Sequence, residues 1–275
     1  MLALSRFLTE VTTRMRPCAG SGGSSPLLRF VDVHEQYGRH VIEEMLARIS
    51  VVHLACDLGV GRGHDLRLVS KRFPKARLTG IDCIETHRHH LQQHGIALQV
   101  FNLERDDFPF DDESVDLFVA NQVFEHVKEL FWVCHQIARK LRPGGYIIIG
   151  VPNISALHNR LTFLFGMQPS QMKSCSAHVR GFTVHEIPRF FSVCCPGRFQ
   201  CVLWRGAQFY PFPRPLARLL ARLFPSLAHS TFYLMRKTAP YSGEFLKHPV
   251  KTELETPFYL GEKEQLPPPS CQYNS

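Results

Sequence analysis

The chain holds 275 residues, 44% hydrophobic and 20% charged, a balance that excludes wholesale disorder and a fibrous architecture. Its nine cysteines include no CxxC pair and no finger spacing, so they read as reduced cytosolic thiols rather than a disulfide framework. The net charge of +8 is gathered in residues 180–237, where nine Lys/Arg meet the single acid Glu186, which favours an acidic acceptor, an anionic surface or nucleic acid, beside the plainer reading of a solvated basic face.

Residues 1–33 are expected to be a flexible extension. A short helix is possible over Ser5–Arg16, and Ala19–Pro26 (AGSGGSSP) has linker composition. Arg6, Arg14 and Arg16 resemble a presequence only faintly, and Glu10 opposes it, so a cytoplasmic location is expected. From His34 a strand–helix alternation begins. Helix His34–Ile49 leads to strand Val51–Asp57, then a glycine-rich turn and helix Asp65–Phe73. Strand Ala76–Asp82, helix Glu85–His94, strand Ala97–Leu103, strand Val115–Asn121 and helix Val127–Leu141 follow, the last stopped by Pro143–Gly144. Strand Tyr146–Val151 closes the regular series, which implies a doubly wound parallel α/β sheet. The domain is expected to span 34–238, with a lid insertion over 152–183. After the lid come helix Val184–Val193, strand Phe199–Phe209, helix Pro213–Phe224 and strand Thr231–Lys237, where a strand can run antiparallel. The proline-rich remainder, 239–275, is expected to be disordered.

Chemistry concentrates at the ends of the first two strands. Asp57-Leu58-Gly59-Val60-Gly61-Arg62-Gly63 supplies glycines where a backbone must turn sharply at a helix start and approach a ligand closely. Asp82, closing the second strand, is placed to accept hydrogen bonds from two ribose hydroxyls. The turn lacks the third glycine of a dinucleotide fingerprint, since His64 stands there, and Asp57 would repel a pyrophosphate. An acid at that point suits a ligand with a cationic amino group and a sulfonium, which favours S-adenosylmethionine over a nicotinamide cofactor.

With these residues the chain resembles the class I S-adenosylmethionine-dependent methyltransferases, in the subgroup of ubiquinone-biosynthesis and sugar or lipid O-methyltransferase-like domains. The resemblance rests on Ala55–Gly63 (ACDLGVGRG), Leu78–Asp82 (LTGID), Phe108–Val127 (FPFDDESVDLFVANQVFEHV), Leu141–Asn153 (LRPGGYIIIGVPN) and His178–Ile187 (HVRGFTVHEI). It implies a Rossmann-like seven-stranded sheet, mostly parallel, with an antiparallel last strand. It also implies that Asp57, Gly59 and Gly61 line the methionine and ribose of the cofactor and that Asp82 binds the ribose. Asn102 and Leu103 then lie beside the adenine, Asn121 and Gln122 floor the pocket, and Phe124 is an apolar wall or a buried helix-start aromatic.

For methyl transfer to a hydroxyl a general base is useful, and His126 and His178, near the edge of the fourth strand, are the candidates among 15 histidines. No metal is expected: His87, His90 and His94 share a helix face without an acid or cysteine partner and read as solvated surface. Cys194 and Cys195 read as packed, and the acids of Glu104–Asp116 as a solvated loop. The lid, with Asn159, Arg160, the apolar run Leu161–Met167, Lys173, His178 and Arg180, suits a small or amphiphilic anionic acceptor such as a saccharide or lipid precursor. On Pro213–Phe224 the leucines are expected to face the sheet and Arg214, Arg218 and Arg222 the water, the alternative being peripheral contact with an anionic membrane. A nucleic-acid partner is disfavoured, as no aromatic-basic module accompanies the charge. Two other functions compete with methyl transfer: a methyltransferase-like scaffold without turnover, and a nicotinamide-dependent oxidoreductase.

Overall fold

A computed structural model describes residues 37–254, Lys173 excepted. The expected flexibility of 1–33, the lid residue Lys173 and the tail beyond Leu254 lie outside the described residues.

Strands β1 (Leu54–Leu58), β2 (Arg77–Asp82), β3 (Ile96–Val100), β4 (Val115–Asn121), β5 (Leu141–Pro152), β6 (Phe199–Ala207) and β7 (Ser230–Lys237) form one sheet in the order β3-β2-β1-β4-β5-β7-β6. The first five pair in parallel, and β7 runs antiparallel between β5 and β6. The order reverses between β1 and β4, which opens a crevice at their C-terminal ends.

Helices α1 (Arg39–Leu46), α2 (His64–Arg72) and α3 (Arg88–Gln93) lie before β3 in the chain. Helices α4 (Leu130–Lys140), α5 (Leu157–Leu164), α6 (Glu186–Cys194), α7 (Arg214–Leu223) and α8 (Glu244–Lys251) follow β4. The central strands β1 and β4 are buried almost throughout because both faces are covered, and alternate residues go to opposite cores. Cys56, Leu58, Phe118 and Ala120 join Val133, Ile137, Phe191 and Phe245 on one face. Ala55, Leu117, Val119 and Ile148 join Ile42, Leu66 and Val69 on the other.

Three expectations change. β5 begins at Leu141 rather than Tyr146, because Leu141 pairs with Val115 and a register shift before Leu117–Tyr146 absorbs Arg142–Gly145. The helix expected from Val127 starts at Leu130, since the preceding segment is held as a loop by contacts described below. The segment 239–275 is not wholly unstructured: α8 forms within it, and its Phe245 is fully buried against Phe190, Phe191 and Phe199. A hydrophobic face recurring over Phe245–Pro249 outweighs the helix-opposing effect of Pro249.

The acidic loop before β4 is also structural at its end. Buried Asp116 accepts the N–H groups of His53 and Leu54 at 2.7 and 2.8 Å and pairs with Arg142, tying β1 to β4 and β5. Lys237, fully buried at the end of β7, donates to Glu113 Oε1 and to the carbonyls of Ala138 and Leu141 at 2.7–3.0 Å.

Candidate active site

The turn after β1 is built from left-handed glycines. Gly59, Gly61 and Gly63 have φ of +67°, +47° and +69°, which only glycine adopts without strain. A Cβ on Gly63 would strike Leu91 and Ile96 at 2.7 Å, so this glycine is needed for close packing. A Cβ on Gly61 would meet nothing within 4 Å: the backbone there faces an opening. Gly59 and Val60 donate to Ile81 O, and Gly61 donates to Asp82 Oδ2 at 3.0 Å, so the turn is clamped to the end of β2. The other oxygen of Asp82 accepts Ile84 N–H at 3.3 Å. Asp57, Gly59, Gly61 and Asp82 are thus brought together, as the spacing implied.

Acidic side chains gather in this corner. Asp57 is buried with Asp65 and Asp82 nearby and Arg39 as a nearby cation. Burial raises its carboxyl well above the ordinary range, Asp65 and Asp82 add to the rise, and Arg39 opposes it. Asp65 and Arg39 are functional neighbours that sequence reading missed, because Asp65 reads as a first-turn helix acid. Asp65 accepts Arg39 Nε at 2.9 Å and Asn121 Nδ2 at 2.8 Å, joining α1, α2 and the end of β4. The remaining oxygen of Asn121 and the Nε2 of Gln122 are buried without partners among the described residues. Gln122 itself has φ +60°, held there by a 2.8 Å bond from its N–H to Gly150 O.

Phe101 N–H bonds Asp82 O at 3.1 Å and carries Asn102 and Leu103 to the Asp82 side. Asn102 is exposed, and its Oδ1 closes an Asx turn on Glu104 N–H at 2.9 Å. Leu103 is half-buried. Phe124 is fully buried in the core, so of its two expected roles the structure gives it the packing one.

Beyond β4, residues 125–128 are strapped to 177–180. Glu125 O accepts the N–H groups of Val179 and Arg180, and Arg180 donates to the carbonyls of Val127 and Lys128 at 3.1 and 2.8 Å. This strap brings His126 and His178 edge to face, with ring centroids 4.7 Å apart. Burial, followed by the neighbouring His126, holds the His178 imidazole below its ordinary value, and its bond to Gln171 O opposes this. Glu125, which sequence reading also missed, is buried beside them, and burial pushes its carboxyl up to about 8. The signal for it was present in Phe124-Glu125-His126, but its meaning depends on a partner from residues 177–180.

Other candidate groups take bland roles. Cys134, Cys194 and Cys195 are buried, and burial raises all three thiols, so they are inert. The rings of His90 and His94 lie tilted with centroids 4.6 Å apart at the end of α3, separated from β4 by β2 and β1 in the sheet order.

The methyltransferase domain family matches residues 56–149. Over 118 residues the chain is 36% identical to the malonyl-[acyl-carrier protein] O-methyltransferase of Methylococcus capsulatus, 39% of this chain and 42% of that protein. It is 31% identical over 129 residues to the trans-aconitate 2-methyltransferase of an Azoarcus species, 46% and 48% of the two chains. The chain thus spans less than half the length of these curated relatives. Among solved structures, an S-adenosylmethionine-dependent methyltransferase of Thermotoga maritima superposes with a TM-score of 0.51 at 15% identity, over 74% of this chain and 91% of that one. The 1,6-didemethyltoxoflavin-N1-methyltransferase of Burkholderia thailandensis does so at 0.50 and 18% identity, over 80% and 94%. These two likenesses speak for the fold alone. The methyltransferase-domain match over residues 56–149, the strand order and the glycine turn agree with the class I S-adenosylmethionine-dependent methyltransferase fold that the sequence resembles.

Proposed function

We propose that this chain transfers the methyl group of S-adenosylmethionine to an oxygen of a small, acidic or amphiphilic acceptor. The observation that carries the cofactor assignment is the opening in front of left-handed Gly61, whose N–H is held by Asp82, with the buried Asp57 carboxyl near Asp82. Gly59, Gly61 and Asp82 would hold ribose and methionine, Asn102 and Leu103 would flank the adenine, and Asn121 and Gln122 would floor the pocket. In its ionised form Asp57 suits a positively charged ligand and would disfavour a pyrophosphate, which tells against nicotinamide chemistry. The cofactor supplies an electrophilic methyl on a cationic sulfur.

What the chain contributes is alignment and exclusion of water, because the sulfonium charge is lost in the transition state and a polar, wet site would protect it. The strap over 125–128 covers this edge, and His126 and His178 stand there as the groups for the acceptor. Transfer to oxygen agrees with the similarity to a malonyl-[acyl-carrier protein] O-methyltransferase and a small acceptor with that to a trans-aconitate 2-methyltransferase, and the basic residues of 152–183 and 180–237 agree with negative charge on it. A cytoplasmic location is part of this reading. Among the described residues no helix is long and apolar enough to cross a membrane.

The test is calorimetric titration with S-adenosylhomocysteine, with NAD as control. Binding of the first alone is expected, weakened at least about tenfold in Asp82→Ala, since a charged hydrogen-bond acceptor is lost. Unchanged affinity in the variant would remove the ribose assignment. A scaffold without turnover is separated by radiolabelled methyl transfer into acidic small molecules of a cell extract, which only an enzyme gives.

A further inference from the structure

Where the strap crosses the segment after β4, Glu125, His126 and His178 each bring one donor atom into a cluster whose members all lie within 4.8 Å of one another. Nε2 of His126 is 4.0 Å from Glu125 Oε1. The proton positions follow from the partners of the rings. Nδ1 of His126 faces Ala177 O at 3.1 Å, and Nδ1 of His178 faces Gln171 O at 3.0 Å. A carbonyl oxygen only accepts, so each Nδ1 carries the proton and each Nε2 keeps its lone pair. An imidazole clamped through Nδ1–H to a backbone carbonyl, with Nε2 bare, is the outer-shell arrangement that orients metal-ligating histidines.

A second observation is independent of the histidines. The side chain of Glu125 is 2% exposed, yet neither of its carboxylate oxygens has a hydrogen-bond partner among the described residues. Buried acceptors without donors are rare in folded proteins and call for a missing group. The backbone around it is well used: Glu125 O takes two N–H donors from the strap, so the carboxylate is fixed in place beside both rings.

The geometry points to Glu125, His126 and His178 as the ligands of a first-row divalent transition metal, through one carboxylate oxygen and two Nε2 atoms. Two imidazoles with one carboxylate favour the Zn2+ and Fe2+ type of ion over Mg2+, which prefers oxygen donors and keeps its waters. Donors bound at about 2.1 Å around a tetrahedral ion stand about 3.4 Å apart, so small side-chain rotations close the cluster. Three protein ligands leave a coordination position free, the pattern of reactive rather than structural zinc sites. That position would take an acidic or hydroxyl oxygen of the acceptor and orient it. This use of the ion rests on the methyl-transfer reading, whereas binding of the ion does not. It replaces the expectation that no metal is bound.

The test uses the full chain, stripped with a chelator and titrated with Zn2+ alone, with the visible absorption of added Co2+ as a second readout. One equivalent per chain is expected, weakened at least tenfold in Glu125→Gln, His126→Ala and His178→Ala. The variant carrying His87→Ala, His90→Ala and His94→Ala together should bind as the parent does, which separates this cluster from surface histidines. Equal Zn2+ affinity in the three ligand variants, or loss of binding in the α3 variant, overturns the assignment. S-adenosylhomocysteine is titrated into the same samples to show that each variant is folded. A chain that binds the nucleoside and no metal sinks this inference alone. One that binds the metal and no nucleoside sinks the cofactor reading alone.

Discussion

Gln122 carries the most informative backbone strain in the molecule. A non-glycine residue in the left-handed region pays for itself elsewhere, and here the Gly150 bond holds it while its Nε2 lies buried and unpartnered. Gln122→Gly is therefore expected to raise stability by roughly 1 kcal/mol in thermal unfolding while weakening S-adenosylhomocysteine binding. A loss of stability instead would mark the side chain as ordinary packing. At this scale the sequence was readable where a role depends on spacing along one strand end: Asp57, the glycines and Asp82. It was unreadable where a role depends on a distant partner. Asp65 acquires meaning only when Arg39 and Asn121 arrive from α1 and β4, and Glu125 only when the lid lays His178 beside it.

At the scale of elements, α7 departs most from expectation. Its buried face is Ala217 and Ala221, small residues that let the helix approach β6, and Leu216, Leu219 and Leu223 are exposed. Leu220 packs beside that alanine face as expected, whereas Leu216, Leu219 and Leu223 do not, because the alanines make the contact. Phe163, Leu164 and Phe165 at the end of α5 are exposed too, and Leu157 of α5 packs on the α7 alanine cluster. Apolar side chains beside Arg214, Arg218 and Arg222 suit peripheral contact with an anionic bilayer. We expect cosedimentation with phosphatidylserine vesicles, little with phosphatidylcholine, and a large loss in Leu219→Glu/Leu223→Glu. Equal binding of that variant would assign the contact to charge alone. The periodicity of the chain revealed that α7 is amphipathic; which face is buried depends on the small surface β6 offers, and no periodicity states that.

Across the whole molecule charge is divided. The +8 of residues 180–237 belongs to the second half of the sheet, while Asp57, Asp65 and Asp82 gather at the C-terminal ends of β1 and β2 and the start of α2. Because the Asp57 carboxyl is raised, chiefly by burial, it gains its charge only as pH climbs through that raised range. A sulfonium is held better by the ionised form, so the affinity of S-adenosylmethionine relative to S-adenosylhomocysteine should grow as pH is raised. Titration of both ligands across a pH series checks this, and a constant ratio would mean that Asp57 does not sense the sulfonium.

The chain by itself determined the doubly wound sheet, the antiparallel β7, the glycine turn after β1 and the Asp82 that closes β2. Each is written in local signals, an apolar run, a helical period or a turn residue, that act within a few positions of one another. The tertiary structure alone decided the Glu125–His126–His178 cluster, the exposed leucines of α7 and the burial of α8. These depend on which surface another segment presents, and that is settled only when helices, lid and sheet compete to cover the same apolar area and to satisfy the same buried polar atoms.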